Sequence, residues 1–173
     1  MKKILSVLVA GSTALLCWSF ITKETASSAN SSIEPDSVFI LDASSSSMME
    51  IQLGTIAQQK AQDPRVKNYG AMMVKDHTAA TAELVPIAGR LGVNIPATLL
   101  PKHAKHVSHL ENMTGAAFDR AYINMMVEAH KDDIDEFEDA SKKAADTELR
   151  AWAAKQLPVL QMHRDSAVAI RKR

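Results

Sequence analysis

Beyond Asp36, apolar residues recur every three or four positions almost to the C-terminus. No stretch alternates apolar and polar as a half-buried strand would, so the chain reads as all-α. The first long helix is predicted over about 37–62, capped by Asp36, with a stripe of Phe39, Ile40, Ala43, Leu53, Ile56 and Ala57. Its run Ser44-Ser45-Ser46-Ser47 is weak helix sequence, because serine hydroxyls compete for backbone hydrogen bonds; a kink or break is expected there. Asp63-Pro64 is a turn that places proline at the start of the next helix. That helix spans about 64–91 along Val66, Tyr69, Met73, His77, Ala80 and Leu84, and Pro86 should bend or interrupt it. Gly92 ends it and Asn94-Ile95-Pro96 is loop.

Residues 101–112 predict a short connecting helix. Thr114 caps a third long helix over about 115–145, striped by Phe118, Tyr122, Met126, His130, Ile134 and Phe137. Asp146 or Thr147 opens a fourth, to about 171, with Leu149, Ala153, Leu160, His163, Ala167 and Ile170 on one side. Four long amphipathic helices with short first and third connections pack as an antiparallel four-helix bundle. The domain plan is a signal segment at 1–29, a polar linker at 30–36 and the bundle at 37–171.

The N-terminus has the form of an export signal. Lys2 and Lys3 precede an uncharged apolar stretch from Ile4 to Ile21, and Ser27-Ser28-Ala29 offers small side chains for cleavage before Asn30. The stretch is near the lower length limit for a span, so a retained anchor, with membrane association through this segment, is the alternative. Cys17, the one cysteine, lies inside the leader. Leu16 stands where lipidation wants a small residue. The mature chain therefore has neither a disulfide nor a thiolate nucleophile. Without residues 1–29 the formal charge is −2, from 17 basic and 19 acidic residues. No basic field points to nucleic acid, and no protein partner is indicated.

Several strings carry a family resemblance: Glu50-Ile51-Gln52-Leu53-Gly54, Asp63-Pro64 with Val66-Lys67, Asp76-His77-Thr78, Gly115 to Tyr122, His130, and Leu157-Pro158 with Leu160 and His163. Over about residues 36–170 the chain resembles a bacterial domain-of-unknown-function family, often labelled predicted outer membrane protein and grouped with ferritin-like folds. The resemblance implies an exported ferritin-like bundle and no known reaction. Members usually carry Ala and Gly where Ser44 to Ser47 stand here.

Helix register singles out four side chains. Glu50 lies thirteen residues before Asp63 and His77 fourteen after it, so in an antiparallel pair their heights agree within about 2 Å at ~1.5 Å per residue. His130 lies fifteen before Ala145 and His163 eighteen after, agreeing within roughly 5 Å. One ligand per helix at mid-bundle is how such folds hold metals. Glu50, His77, His130 and His163 are the candidate set for one zinc, copper, nickel or iron ion. The competing reading is a structural or interaction module in which they form only a buried hydrogen-bond network.

A di-iron centre is disfavoured: Val74, Val127 and Leu160 stand where Glu-x-x-His needs carboxylates, and one plausible carboxylate remains. Met49, Met73, Met126 and Met162 lie near candidate ligands and would suit Cu(I), although methionine is also a common core filler. Asp76 should pair across to another helix. Asp119 reads as a helix-start charge and Tyr122 as a core aromatic with a bonded hydroxyl. His103, His106 and His109 read as a solvated stripe, alternatively a second metal site or pH-responsive patch, with Glu111 the only nearby acid. The acidic run 132–139 around Ile134 and Phe137 reads as a wet face. No nucleophile elbow, phosphate loop or Cys–His pair is present, so nothing selects an enzyme.

Overall fold

Five helices form: α1 Ser27–Lys60, α2 Pro64–Arg90, α3 Pro101–Leu110, α4 Gly115–Lys143 and α5 Thr147–Arg171. The structure, a computed structural model, describes the backbone of residues 27–172 and the side chains of residues 35–172. All but the last three residues of the proposed signal segment lie outside the described residues. Among the described residues no strand occurs, and no helix is long and apolar enough to cross a membrane.

Helices α1–α2 and α4–α5 are two hairpins; α1 packs across on α4, and α2 on α5. The long connection between the hairpins carries α3, which lies against α1 and α4. This is a four-helix bundle with one long crossover, the ferritin-like connectivity. The turns are tied to the opposite hairpin. Asp36, 3% exposed, accepts the backbone N–H groups of Ala145 and Asp146 at 2.9 Å each. Asp119 accepts those of Gln62 (3.0 Å) and Asp63 (2.8 Å). The N-caps Asp63 and Asp146 bond the N–H groups of Arg65 and Leu149. Each tying aspartate precedes its own hairpin's N-cap by 27 residues (36 to 63, 119 to 146), so the two hairpins satisfy one another's turns reciprocally.

Four expectations are corrected. Helix α1 starts at Ser27, so its backbone is helical through the stretch read as linker. Asp36 does not cap α1; it lies within it and serves the α4–α5 turn. Pro86 does not interrupt α2, which continues to Arg90. The serine run does not break α1, because all four hydroxyls have partners that end their competition with the helix. Ser44 donates back to Ile40 O (2.6 Å), and Ser45 Oγ accepts from Leu100 N (2.8 Å). Ser46 donates to Asp133 Oδ1 (3.2 Å), and Ser47 Oγ lies 3.4 Å from His77 Nδ1.

Small residues set how closely α1 and α2 approach. A Cβ on Gly54 would lie 2.6 Å from Gly70 O, and one on Gly70 would lie 2.6 Å from Gly54 O. Backbone therefore rests on backbone at this level, one turn from Glu50. The core falls into two apolar clusters. One is built around Leu53, Tyr69, Phe118, Tyr122 and Met126; the other around Ile40, Leu84, Phe137, Leu149 and Trp152. Between them lies a polar layer.

Candidate metal centre

That polar layer consists of Glu50 from α1, His77 from α2, His130 from α4 and His163 from α5. They are 0%, 6%, 0% and 1% exposed. The predicted common height is what the structure shows. The three ring centroids lie 5.2–5.9 Å apart, and one nitrogen from each ring can be chosen so that all lie within 4.8 Å of one another.

Hydrogen bonding on the outer side of two rings fixes what faces inward. His130 Nδ1 lies 2.9 Å from Met126 O and 3.5 Å from Glu50 Oε1. Both neighbours only accept, so Nδ1 carries the hydrogen. His163 Nε2 lies 3.0 Å from Asp76 Oδ2, and there too the ring must donate. Burial pushes both imidazoles below their usual range, His163 to about 4, against the opposing pull of Asp76. Both are therefore neutral at pH 7. The remaining nitrogens, His130 Nε2 and His163 Nδ1, are bare lone pairs 3.2 Å apart. Two acceptors at that distance repel unless a cation stands between them. A ring that donates outward to a carboxylate or carbonyl and turns its bare nitrogen inward is the usual presentation of a histidine ligand.

The other two groups are also incomplete. Glu50 Oε2 is 2.7 Å from His77 Nε2, but the contact lacks hydrogen-bond alignment; that nitrogen and both Glu50 oxygens are buried without a hydrogen bond. Burial would raise the Glu50 carboxyl. Positive charge on His77, then on His130 and His163, outweighs this and draws it down to about 2. That value holds only with the imidazoles charged; with His130 and His163 neutral, less positive charge opposes the effect of burial. Fully buried ionised groups need a counter-charge. The converging donor set is the three imidazoles, whose chosen nitrogens lie within 4.8 Å of one another; Glu50 Oε1 lies on the Nδ1 side of His130, away from its bare Nε2, and is not among the converging atoms. The 3.2 Å separation of His130 Nε2 and His163 Nδ1 is close to the roughly 3.4 Å edge of a tetrahedron with ~2.1 Å bonds, so the three imidazoles could hold a transition-metal ion.

Beside them is a cavity of about 20 Å³, whose walls include Ser46, Glu50, Asp76, His77, Asp133 and His163. That is room for about one water-sized species. Asp76 pairs across to α5 as expected, and the result is orientation of His163. Asp133 corrects two expectations: it does not belong to a wet face, and Glu50 is not the single carboxylate at this level. It turns in to Ser46, and burial followed by the charge of Glu50 raises its carboxyl well above the usual range. Its spacing of three from His130 was the available signal, since such pairs share a helix face. Ile134 and Phe137 within the acidic run are buried.

Further out, Tyr122 is in the core, but its hydroxyl has no hydrogen-bond partner, nor has that of Tyr69. Met49, Met73 and Met126 are core residues, while Met162 is 41% exposed. Of the α3 histidines, His106 and His109 are exposed. His103 is instead buried, bonded to Ser45 Oγ (2.8 Å) and 4.0 Å from Asp42, an acid brought from α1.

Comparison with curated proteins gives no match. A fragment described as DUF305 from Deinococcus radiodurans, known from a crystal structure, superposes with a TM-score of 0.70 at 12% identity, covering 80% of this chain and 95% of that one. At that identity the likeness is one of fold. The family described as Domain of unknown function (DUF4142) matches residues 22–170, which include every residue of the polar layer and both turn-tying aspartates, and the chain belongs to that family.

Proposed function

We propose that the protein is an exported cell-envelope bundle, periplasmic or outer-membrane associated in a Gram-negative-type bacterium, that holds one transition-metal ion on Glu50, His77, His130 and His163. The leader from Lys2 to Ala29 supports export. One observation carries the metal reading: two neutral, outward-anchored imidazoles turn bare nitrogens to one another at 3.2 Å, beside a fully buried carboxylate whose close partner is His77 Nε2 at 2.7 Å. The donor set suits zinc, copper, nickel or iron. Bound there, such an ion would supply the missing positive charge, and for copper or iron a redox function. Asp76 and Met126 O hold the two rings in the binding tautomer.

The test is metal analysis of protein purified from its native host, together with titration of chelator-stripped protein with zinc and copper. One equivalent per chain is expected, abolished by His77→Ala with His130→Ala. Metal at one hundred times its Kd should stabilise the fold by about 2.7 kcal/mol. A parent that takes up neither ion, with a Tm indifferent to chelation, would mean that these side chains form only a hydrogen-bond network.

A further inference from the structure

All four proposed ligands are buried, so an ion must have a way in. Between α3, α1 and α4 lies a vestibule of about 130 Å³. Asp42, Asp132, Asp133 and Glu136 line it, against Lys102, His103 and His106. Lys102 is already engaged by Asp42 at 2.6 Å. Asp42 is offset by Lys102, and burial raises Glu136 to about 7, so the wall is mildly acidic, which favours small cations over anions there.

The vestibule and the inner cavity share two wall residues, Ser46 and Asp133. These two are joined to each other, Ser46 Oγ donating to Asp133 Oδ1 at 3.2 Å and approaching Oδ2 at 3.5 Å. A weak side-chain hydrogen bond therefore joins the two residues that border both spaces. Glu50, fully buried and with Oε2 2.7 Å from His77 Nε2, lines the inner cavity. On the opposite side of the cavity Asp76 is engaged by His163 at 3.0 Å.

We infer that Asp133 and Ser46 form the inner gate of a cation entry route running from the acidic vestibule beneath α3 to Glu50. This rests on the metal reading above and names its regulation. A hydrated divalent transition cation collects among Asp42, Asp132 and Glu136. It sheds water as Asp133 exchanges the Ser46 hydroxyl for the ion, and then passes to Glu50 and the imidazoles. Asp133 is a transfer group here, not a resident ligand.

The experiment is stopped-flow uptake of Zn²⁺ from a chromophoric chelator by the full metal-free protein, at several salt concentrations. Asp133→Asn keeps the shape and an oxygen for Ser46 but removes the carboxyl group that can give up its proton to bind the ion. It is expected to slow association about tenfold or more, a steering-sized effect, while final stoichiometry stays at the parent value. Glu136→Gln, at an exposed position, should slow it less and weaken the salt dependence. Glu148→Gln, at the start of α5 beside Arg90 and outside the vestibule lining, should change nothing. Uptake by Asp133→Asn at the parent rate would overturn the route and leave the metal site intact. So would slowing by a plug at the α2–α5 side, Val159→Phe, with Asp133→Asn unaffected. Loss of stoichiometric binding in Asp133→Asn would make it a ligand and overturn the gate. No uptake by the parent removes the metal reading and this one with it.

Discussion

Replacing single glycines of the α1–α2 hairpin by alanine tests whether backbone contact sets the height at which Glu50 meets His77. A Cβ on Gly54 would sit 2.6 Å from Gly70 O, whereas ordinary contact begins at 3.4 Å. The helices would have to part by roughly 0.8 Å, and both contacting atoms at the crossing are backbone, with no rotamer to turn away. Overpacking of this kind costs about 1–3 kcal/mol, and alanine returns about 1 kcal/mol through its better helix propensity. The net expectation for Gly54→Ala is a loss of up to about 2 kcal/mol. Gly70→Ala should behave alike, since its Cβ would meet Gly54 O at 2.6 Å and Ala57 Cβ at 2.8 Å. Gly89, also in α2, is the internal control: a Cβ there meets nothing within 4 Å. Gly89→Ala should gain about 0.5 kcal/mol by restricting the unfolded chain. Urea titrations of the three variants, read at constant m-value, measure these differences. In thermal scans they correspond to about 2–4 °C per kcal/mol for a domain near this size. The same parting would lengthen the 2.7 Å Glu50–His77 contact, so Gly54→Ala should also bind metal more weakly while Gly89→Ala should not. Equal stabilisation of Gly54→Ala and Gly89→Ala would refute the reasoning, because it would mean that the two backbones do not touch.

Three further outcomes follow from the geometry. Asp36→Ala removes two charged caps from the α4–α5 turn and should cost about 2 kcal/mol in chemical denaturation, with Asp36→Asn recovering part of it. Asp119→Ala should do the same to the α1–α2 turn, and the two losses should add, since the turns lie at opposite ends. In metal-free protein, His163 is neutral in the fold down to about pH 4 while the unfolded chain takes a proton near 6.5. The unfolded state thus binds more protons between those values, and stability must fall as pH drops from 6.5 toward 4, by up to about 3 kcal/mol. His163→Gln should flatten that slope, and denaturation midpoints at pH 7 and pH 5 read it.

Much of this protein was legible in its residues alone. Periodicity located the helices α2 to α5 and the body of α1, and the short connections required antiparallel hairpins. Because a helix rises by a fixed step per residue, counting from Asp63 and Ala145 was enough to place Glu50, His77, His130 and His163 at one level. What counting could not supply was direction around the helix and the identity of neighbours distant in sequence. Whether Ser44 to Ser47 weaken α1 depends on partners contributed by α2, α3 and α4. Whether Asp133 faces water or Ser46 depends on the rotation of α4 against α1. Asp36 and Asp119 became caps only when the opposite hairpin brought its turn within reach. Local propensity and helical rise are properties of a segment and can be read from it. The satisfaction of a buried polar atom depends on what packs against that segment, and only the folded bundle decides it.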